Sequence, residues 1–218
     1  MSSEQSNPLQ AGADWLQARC GKLTASQAYP VLAMGARGKP LKAREDLLEK
    51  LVGERLTGSV AETFKTAAMQ WGIDHEAEAR DAYAAASGSP WIELTGLVDH
   101  PYIPMLGASP DGLVDEEGLV EIKCPTTAVH VRRIAAAVPP PEYVPQMLVQ
   151  LACTGRRWVD FVSYDPRLLV RHPKAALWVV RFEPSRDEIV KAEQLCEEFL
   201  EEVAAEEARL LAVLEGKK

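Results

Sequence analysis

The sequence predicts an α/β (α+β) fold, a central mixed sheet flanked by helices and followed by a long C-terminal helix. Three observations carry this reading. Helical periodicity dominates the chain up to about Ala86. Short apolar, period-two segments separated by Gly and Pro follow between Trp91 and Lys123. Helical and strand-like segments then alternate before a long amphipathic run from Arg186 to Leu214. Helices, then a hairpin-rich sheet, then flanking helices are the pattern of a layered α/β or α+β sandwich.

In order, residues 1–8 read as a disordered tail and 9–218 as one domain. Thr24 caps a helix running from Ala25 to about Ala33. Gly35-Ala-Arg-Gly-Lys-Pro40 reads as a basic loop. Leu41 to Leu56 has Leu47, Leu48 and Leu51 on one helical face. A longer helix from about Ala61 to Ala86 stops before Ser87-Gly-Ser-Pro90. Strands are expected at Trp91–Val98, Met105–Ala108, Gly112–Val114 and Leu119–Lys123. Helices are expected near Ala128–Ala135 and Pro141–Ala152, with strands at Trp158–Tyr164 and Ala176–Arg181. The acidic helix spans about 186–214.

Composition sets the outer limits. A chain of 218 residues with 47% apolar content can bury a sizeable core. No run of eighteen apolar residues predicts a transmembrane helix. The N-terminus lacks the basic and apolar regions of a signal peptide, so a cytoplasmic location is expected. Cys20, Cys124, Cys153 and Cys196 are scattered without a CxxC pair, which argues against zinc and iron–sulfur sites. The net charge of −8 looks wrong for a nucleic-acid partner. However, the stretch from Arg186 to Lys218 alone holds ten acids against five bases. Arg19, Lys22, Lys39, Lys42 and Arg44 could form a local basic groove.

The most informative stretch is Ser109-Pro-Asp-Gly-Leu-Val-Asp-Glu-Glu-Gly-Leu-Val-Glu-Ile-Lys-Cys124. Alternation sends Glu121 and Lys123 to one face of a strand and Val120 and Ile122 to the other. A hairpin across Gly112–Gly118 would set Asp111 beside Glu121. Two carboxylates next to one ammonium suit a hard divalent cation and a polarised water. Either half alone is ordinary: Pro-Asp-Gly is common turn chemistry, and Glu-x-Lys can be a solvated ion pair.

This layout resembles the PD-(D/E)XK nucleases, with Pro110-Asp111 as the PD and Glu121-Ile-Lys123 as the (D/E)XK. More closely, the chain resembles the YqaJ-type viral recombinases, the family of the phage lambda exonuclease. The likeness runs from about Trp15 to Phe182. It is carried by Arg19-Cys-Gly-Lys-Leu-Thr-Ala-Ser26, Trp71-Gly-Ile-Asp-His-Glu76-Ala-Glu-Ala-Arg80, Ser109-Pro-Asp-Gly112 with Glu121-Ile-Lys-Cys-Pro125, Tyr143-Val-Pro-Gln146 and Tyr164-Asp-Pro-Arg167.

The resemblance implies a restriction-endonuclease-like core and a Mg²⁺-dependent 5′→3′ exonuclease on double-stranded DNA that leaves 3′ single-stranded tails. It also implies two Mg²⁺ ions, replaceable by Mn²⁺, a ring-shaped homotrimer, and a single-strand-annealing recombinase as partner. Asp111, Glu121 and the Ile122 carbonyl would hold the principal ion. Glu76 falls where the family carries its helix acid and would help hold the second, although Asp74, Glu76, Glu78 and Asp81 could equally be a solvated face. Lys123 would orient or deprotonate the attacking water, for which the low-dielectric, cation-rich site must lower its proton affinity. Arg19 and Ser26 match residues that hold the 5′-phosphate of the DNA end; from the residues alone, a helix cap and a surface arginine remain the other reading. Gln146 matches a family glutamine and is grouped with Arg19 and Ser26 as DNA-binding, and Gln150 lies one turn further on. Arg167 could touch the DNA backbone, and His75 could neighbour the site but is left out of the ligand set. The rival readings are an endonuclease of the same core fold and a non-catalytic DNA-end-binding recombination scaffold.

Overall fold

The computed structural model describes residues 7–10, 12–35, 38–60, 66–88 and 92–216. Among these, the main sheet has five strands: β2 (Ile92–Glu93), β5 (Gly112–Val114), β6 (Gly118–Lys123), β7 (Trp158–Tyr164) and β8 (Leu177–Phe182), paired in the order β2-β5-β6-β7-β8. Within this sheet only β6 and β7 run parallel. A parallel pair needs a crossover, supplied by α5 (Thr127–Ala136) and α6 (Val144–Thr154). A second sheet of three strands holds β1 (Leu23–Thr24), β4 (Leu106–Ala108) and β3 (Val98–Asp99) in the order β1-β4-β3.

Helices cover both faces of the main sheet. Ala79 and Tyr83 of α4 (Ala67–Ser87) pack with Val120, Ile122, Val162 and Tyr164. Met147, Leu151 and Ala152 of α6 pack with Leu119, Val159 and Phe161. The apolar face expected for Val120 and Ile122 is therefore the α4 side, and Glu121 lies on the α6 side with Leu119. A third cluster joins α3 (Lys42–Thr57) to α8 (Arg186–Leu214) through Leu47, Leu51, Cys196, Phe199 and Val203. Ser185 starts α8 with a capping box: its backbone N–H donates to Glu188 and its hydroxyl accepts from the Glu188 N–H. Beyond Val203 the helix buries no residue, so its acidic end is a solvated face. No helix among the described residues is long and apolar enough to cross a membrane.

The main departures from expectation have local causes. The strand expected over Trp91–Val98 is two strands in two sheets, and Trp91 itself lies outside the described residues. The Thr95 carbonyl between them accepts from the Asn7 and Gln10 side chains at 2.9 and 3.0 Å. The N-terminal segment thus takes the backbone group that a continuous strand would use. Asn7 is buried, and Pro8–Gln10 forms a 3₁₀ turn, so the expected tail already has structure at its end; residues 1–6 lie outside the described residues. The helix expected over Ala25–Ala33 is a 3₁₀ turn, Ala25–Gln27, followed by the short α2, Tyr29–Leu32. Pro30 lacks the N–H that a continuous helix would need there. A further helix, α1 (Ala13–Ala18), precedes it. Residues 61–65 of the expected long helix lie outside the described residues; Thr66 caps α4 by accepting from the Met69 N–H.

Candidate active site

The β5–β6 hairpin pairs Gly112 with Val120, Leu113 with Leu119 and Val114 with Gly118. Continuing that register by one residue sets Asp111 opposite Glu121. Asp111 Oδ2 accepts the Ile122 backbone N–H at 2.6 Å. A strand residue presents its N–H and C=O to the same side, so the Ile122 carbonyl also faces Asp111. Gly112 permits this closeness: a Cβ there would sit 2.4 Å from Ile92 Cγ2 and 3.1 Å from Val120 Cγ1. The N-terminal segment braces the turn from outside, with Gln10 donating to the Pro110 carbonyl at 2.7 Å and Trp15 to the Ser109 hydroxyl at 3.4 Å.

Glu121 is fully buried and accepts from three side chains among the described residues. Lys123 Nζ and Gln146 Nε2 donate to Oε1, the latter at 2.7 Å, and Gln150 Nε2 donates to Oε2 at 2.6 Å. Both glutamines project from one face of α6, four residues apart. The Lys123 ammonium also lies 5.3 Å from the centre of the Tyr143 ring. The other face of Tyr143's surroundings is set by the buried Arg133, which donates to the Tyr143 hydroxyl at 3.2 Å.

Glu76 projects from α4 toward the same cluster. Arg80, one turn on, donates to Glu76 Oε1 and, through Nε, to the Asp111 backbone carbonyl at 3.3 Å. The other acids of this helix go elsewhere: Asp74 accepts from Gln70, Glu78 accepts from the Tyr164 hydroxyl, and Asp81 is exposed.

The electrostatics are those of crowded acids. Burial first, then the charges of Glu121 and Glu76, push the Asp111 carboxyl well above its ordinary value; Lys123 and the Ile122 N–H oppose them. Burial also raises Glu76, with Glu121 adding to it and Arg80 and Lys123 pulling back. Burial by itself would lower Lys123, but Glu121 and Asp111 outweigh it and hold the ammonium above the usual lysine range. The carboxylates around Lys123 thus oppose the fall in proton affinity that its role requires, and cations would have to offset them. Burial pushes the neighbouring Cys124 thiol up to about 12, so it stays neutral.

Among the described residues no three His, Cys, Asp or Glu side chains form a ready-made metal cage. The donor set nevertheless fits a hard cation. Asp111, Glu121 and the Ile122 carbonyl offer only oxygens, and Mg²⁺ characteristically takes one or two carboxylates and keeps several waters. Burial first, and the charge of Glu121 second, push the Asp111 carboxyl upward, a cost that a bound cation would relieve.

Arg19 and Ser26 are brought together as expected. Arg19 donates to Ser26 Oγ at 3.3 Å and to Thr24 Oγ1 at 3.2 Å, and its guanidinium lies 4.3 Å above the Trp15 ring. Through Trp15 and Ser109 this corner connects to the Asp111 turn. The wider basic groove is weaker than expected, because Lys22 pairs with Asp99 and Arg44 with Glu202. Gln146, grouped with the DNA-binding residues in the sequence, donates to Glu121 Oε1. Arg167 ties the chain end of β6 by donating to the Pro125 carbonyl at 2.7 Å, bonds Asp165 and stacks on Trp71. His75 meets the edge of the same Trp71 ring. Sequence reasoning missed Arg80 and Tyr143; the i,i+4 spacing of Glu76 and Arg80 was the signal available for the first.

The YqaJ-like viral recombinase domain model matches residues 14–157. The chain belongs to this family. No match is found among curated protein sequences. Of solved structures, this YqaJ-like chain is similar to an alkaline exonuclease, LHK-Exo, from Laribacter hongkongensis, with 40% identity, a TM-score of 0.84, and coverage of 94% of this chain and 99% of that one. The same exonuclease in complex with dAMP matches with 40% identity and a TM-score of 0.83 over 94% and 98% of the two chains. A phage-related exonuclease from Haemophilus somnus 129PT shares the fold, with 14% identity and a TM-score of 0.60 over 85% of this chain and 96% of that one. The restriction-endonuclease-like fold class expected from the motifs is thereby observed.

Proposed function

We propose that this chain is a Mg²⁺-dependent exonuclease that digests double-stranded DNA 5′→3′ and leaves 3′ single-stranded tails for annealing recombination. The observation that carries the reading is the convergence of Asp111, Glu121 and Lys123 at one end of the β5–β6 hairpin, in a chain 40% identical to an alkaline exonuclease over nearly its full length. Asp111, Glu121 and the Ile122 carbonyl would hold the principal ion, with Glu76 toward a second; Mn²⁺ would substitute. When bound, such ions lower the proton affinity of water and offset charge developing on phosphate. Lys123 orients the water, and its own proton affinity falls only to the extent that cations offset Glu121 and Asp111. Gln146 and Gln150 hold Glu121 in a single orientation. Arg19 and Ser26 receive the 5′-phosphate, Arg19 offering a planar fork on a rigid Trp15 base.

Assembly as a ring-shaped trimer and handover to a single-strand-annealing protein, which the family resemblance suggests, are part of the same proposal. One experiment tests the core. Linear duplexes labelled at either end, with and without a 5′-phosphate, are digested in Mg²⁺ or EDTA beside closed circles. The proposal expects loss of label from the 5′ side, faster on phosphorylated ends, none in EDTA and none on circles. Cutting of circles would favour the endonuclease, and binding without cutting the scaffold. Equal rates on both kinds of end would remove Arg19 and Ser26 from the site.

A further inference from the structure

We propose that Arg80 is a positioning residue that sets the protein's affinity for its divalent ion. This deepens the metal-dependent reading and rests on it. Arg80 is 9% exposed, and its two arms go to two different parts of the site. One terminal nitrogen holds Glu76 Oε1 on α4, and Nε holds the backbone carbonyl of Asp111, thirty-one residues away. The guanidinium is planar and permanently charged, so the two acceptors are fixed relative to each other as well as to Arg80. Glu76 is thereby oriented, and the turn that presents Asp111 is tied to the helix. The Ile122 N–H donates to the carboxylate of the same aspartate. Asp111 is thus held at two points, by its carbonyl and by its carboxylate.

Two physical effects of Arg80 act on a bound cation in opposite directions. Its charge repels a dication, so electrostatics alone predicts that neutralising Arg80 tightens metal binding. Its geometry preorganises the oxygens, and loss of such supporting partners typically weakens metal affinity by about 10–100-fold. The two-armed contact assigns the larger effect to geometry. A lysine supplies the charge but has no fork to span Glu76 and the Asp111 carbonyl, so Arg80→Lys should recover only part of the affinity.

The test measures Mn²⁺ binding by titration calorimetry and by electron paramagnetic resonance on wild type, Arg80→Gln, Arg80→Lys, Glu76→Gln and the Glu76→Gln/Arg80→Gln double variant, each checked for folding by circular dichroism. Duplex affinity without divalent ions is measured in parallel. Expected is a loss of about tenfold or more in Mn²⁺ affinity for Arg80→Gln, a smaller loss for Arg80→Lys, and unchanged duplex affinity. The double variant should lose less than the sum of its parts. Unchanged or tighter Mn²⁺ binding by Arg80→Gln overturns the inference. If that variant does not fold, Arg80→Lys decides: reduced affinity supports the inference and wild-type affinity overturns it. Failure of the wild type itself to bind Mn²⁺ would instead sink the metal-dependent reading.

Discussion

Asp111 and Ile122 are joined by a 2.6 Å hydrogen bond from a strand N–H to a turn carboxylate, eleven residues apart in sequence. The bond extends the β5–β6 ladder by one rung with a side chain in place of a backbone carbonyl. It places the acid of one strand opposite the acid of the next, where two like charges meet in a poorly hydrated corner. Such a corner is costly for the protein alone and favourable for a cation.

Asp111→Asn makes that cost measurable. The amide oxygen can still accept the Ile122 N–H, while the charge is gone. The wild-type carboxyl has its proton affinity raised in the folded state by burial and by Glu121. A group of this kind contributes full stability below its unfolded value, about pH 4, and loses that contribution as pH rises through the folded value. Without divalent ions, Asp111→Asn should therefore be more stable than wild type at pH 8, by about 1 kcal/mol. The difference should vanish near pH 4, and added Mg²⁺ should raise the melting temperature of wild type only. Thermal melts with EDTA and with Mg²⁺ at both pH values check this.

Gln150→Leu tests the support beneath Glu121. Both residues are fully buried, and the Gln150 amide is the donor on Glu121 Oε2. Removing one partner of a buried pair leaves the other short of a hydrogen bond, which costs about 1–3 kcal/mol. Gln146→Leu should cost less, because Gln146 is only partly buried and water can replace it. Urea unfolding of the two variants gives the comparison, and equal losses would contradict the described burial.

Much of this geometry is legible in the sequence. Period-two alternation separated Glu121 and Lys123 from Val120 and Ile122, and the hairpin length put Asp111 at the right place. Arg19 and Ser26, flanking one short block, do lie within hydrogen-bond distance of each other. What could not be read depended on contacts distant in sequence. The glutamines of α6 point at Glu121 because of how the crossover returns over the sheet, which no local pattern encodes. The split of the 91–98 strand depends on Asn7 and Gln10 competing for the Thr95 carbonyl. The direction of the Lys123 shift depends on how many acids surround it, and that number is a property of the packed cluster.

Lys123→Met should reduce cleavage by about 10²–10⁴-fold while duplex binding persists. It carries a second, independent signature. The Lys123 ammonium is held above the usual lysine range by Glu121 and Asp111. Its stabilising contribution is therefore full below its unfolded value near pH 10.4 and is lost only as pH rises through the higher folded value. The stability difference between wild type and Lys123→Met should be flat from pH 6 to 9. A difference that shrinks across that range would mean the ammonium is already losing its proton there.

Gly118→Ala probes the strand that delivers the site. Gly118 opens β6 and pairs with Trp158 of β7. A Cβ at Gly118 would lie 2.0–2.4 Å from three atoms of the Trp158 ring. The ring has little freedom to retreat. The Arg181 guanidinium stacks 3.6 Å from its centre. Arg181 is in turn held by two bonds to Asp160, at 2.8 and 2.9 Å, and Asp160 also accepts the Tyr83 hydroxyl. Relief must come from shifting β6 against β7 or from breaking this chain of contacts, at about 1–3 kcal/mol. That corresponds to a fall of about 2–4 °C in melting temperature for each kcal/mol. Shortening the ring should relieve the clash, so Gly118→Ala combined with Trp158→Leu should lose less than the two single variants together. Strict additivity, or an unchanged melting temperature for Gly118→Ala, would show that β6 does not lie against β7 in the described register, and Glu121 and Lys123 would lose their placement with it.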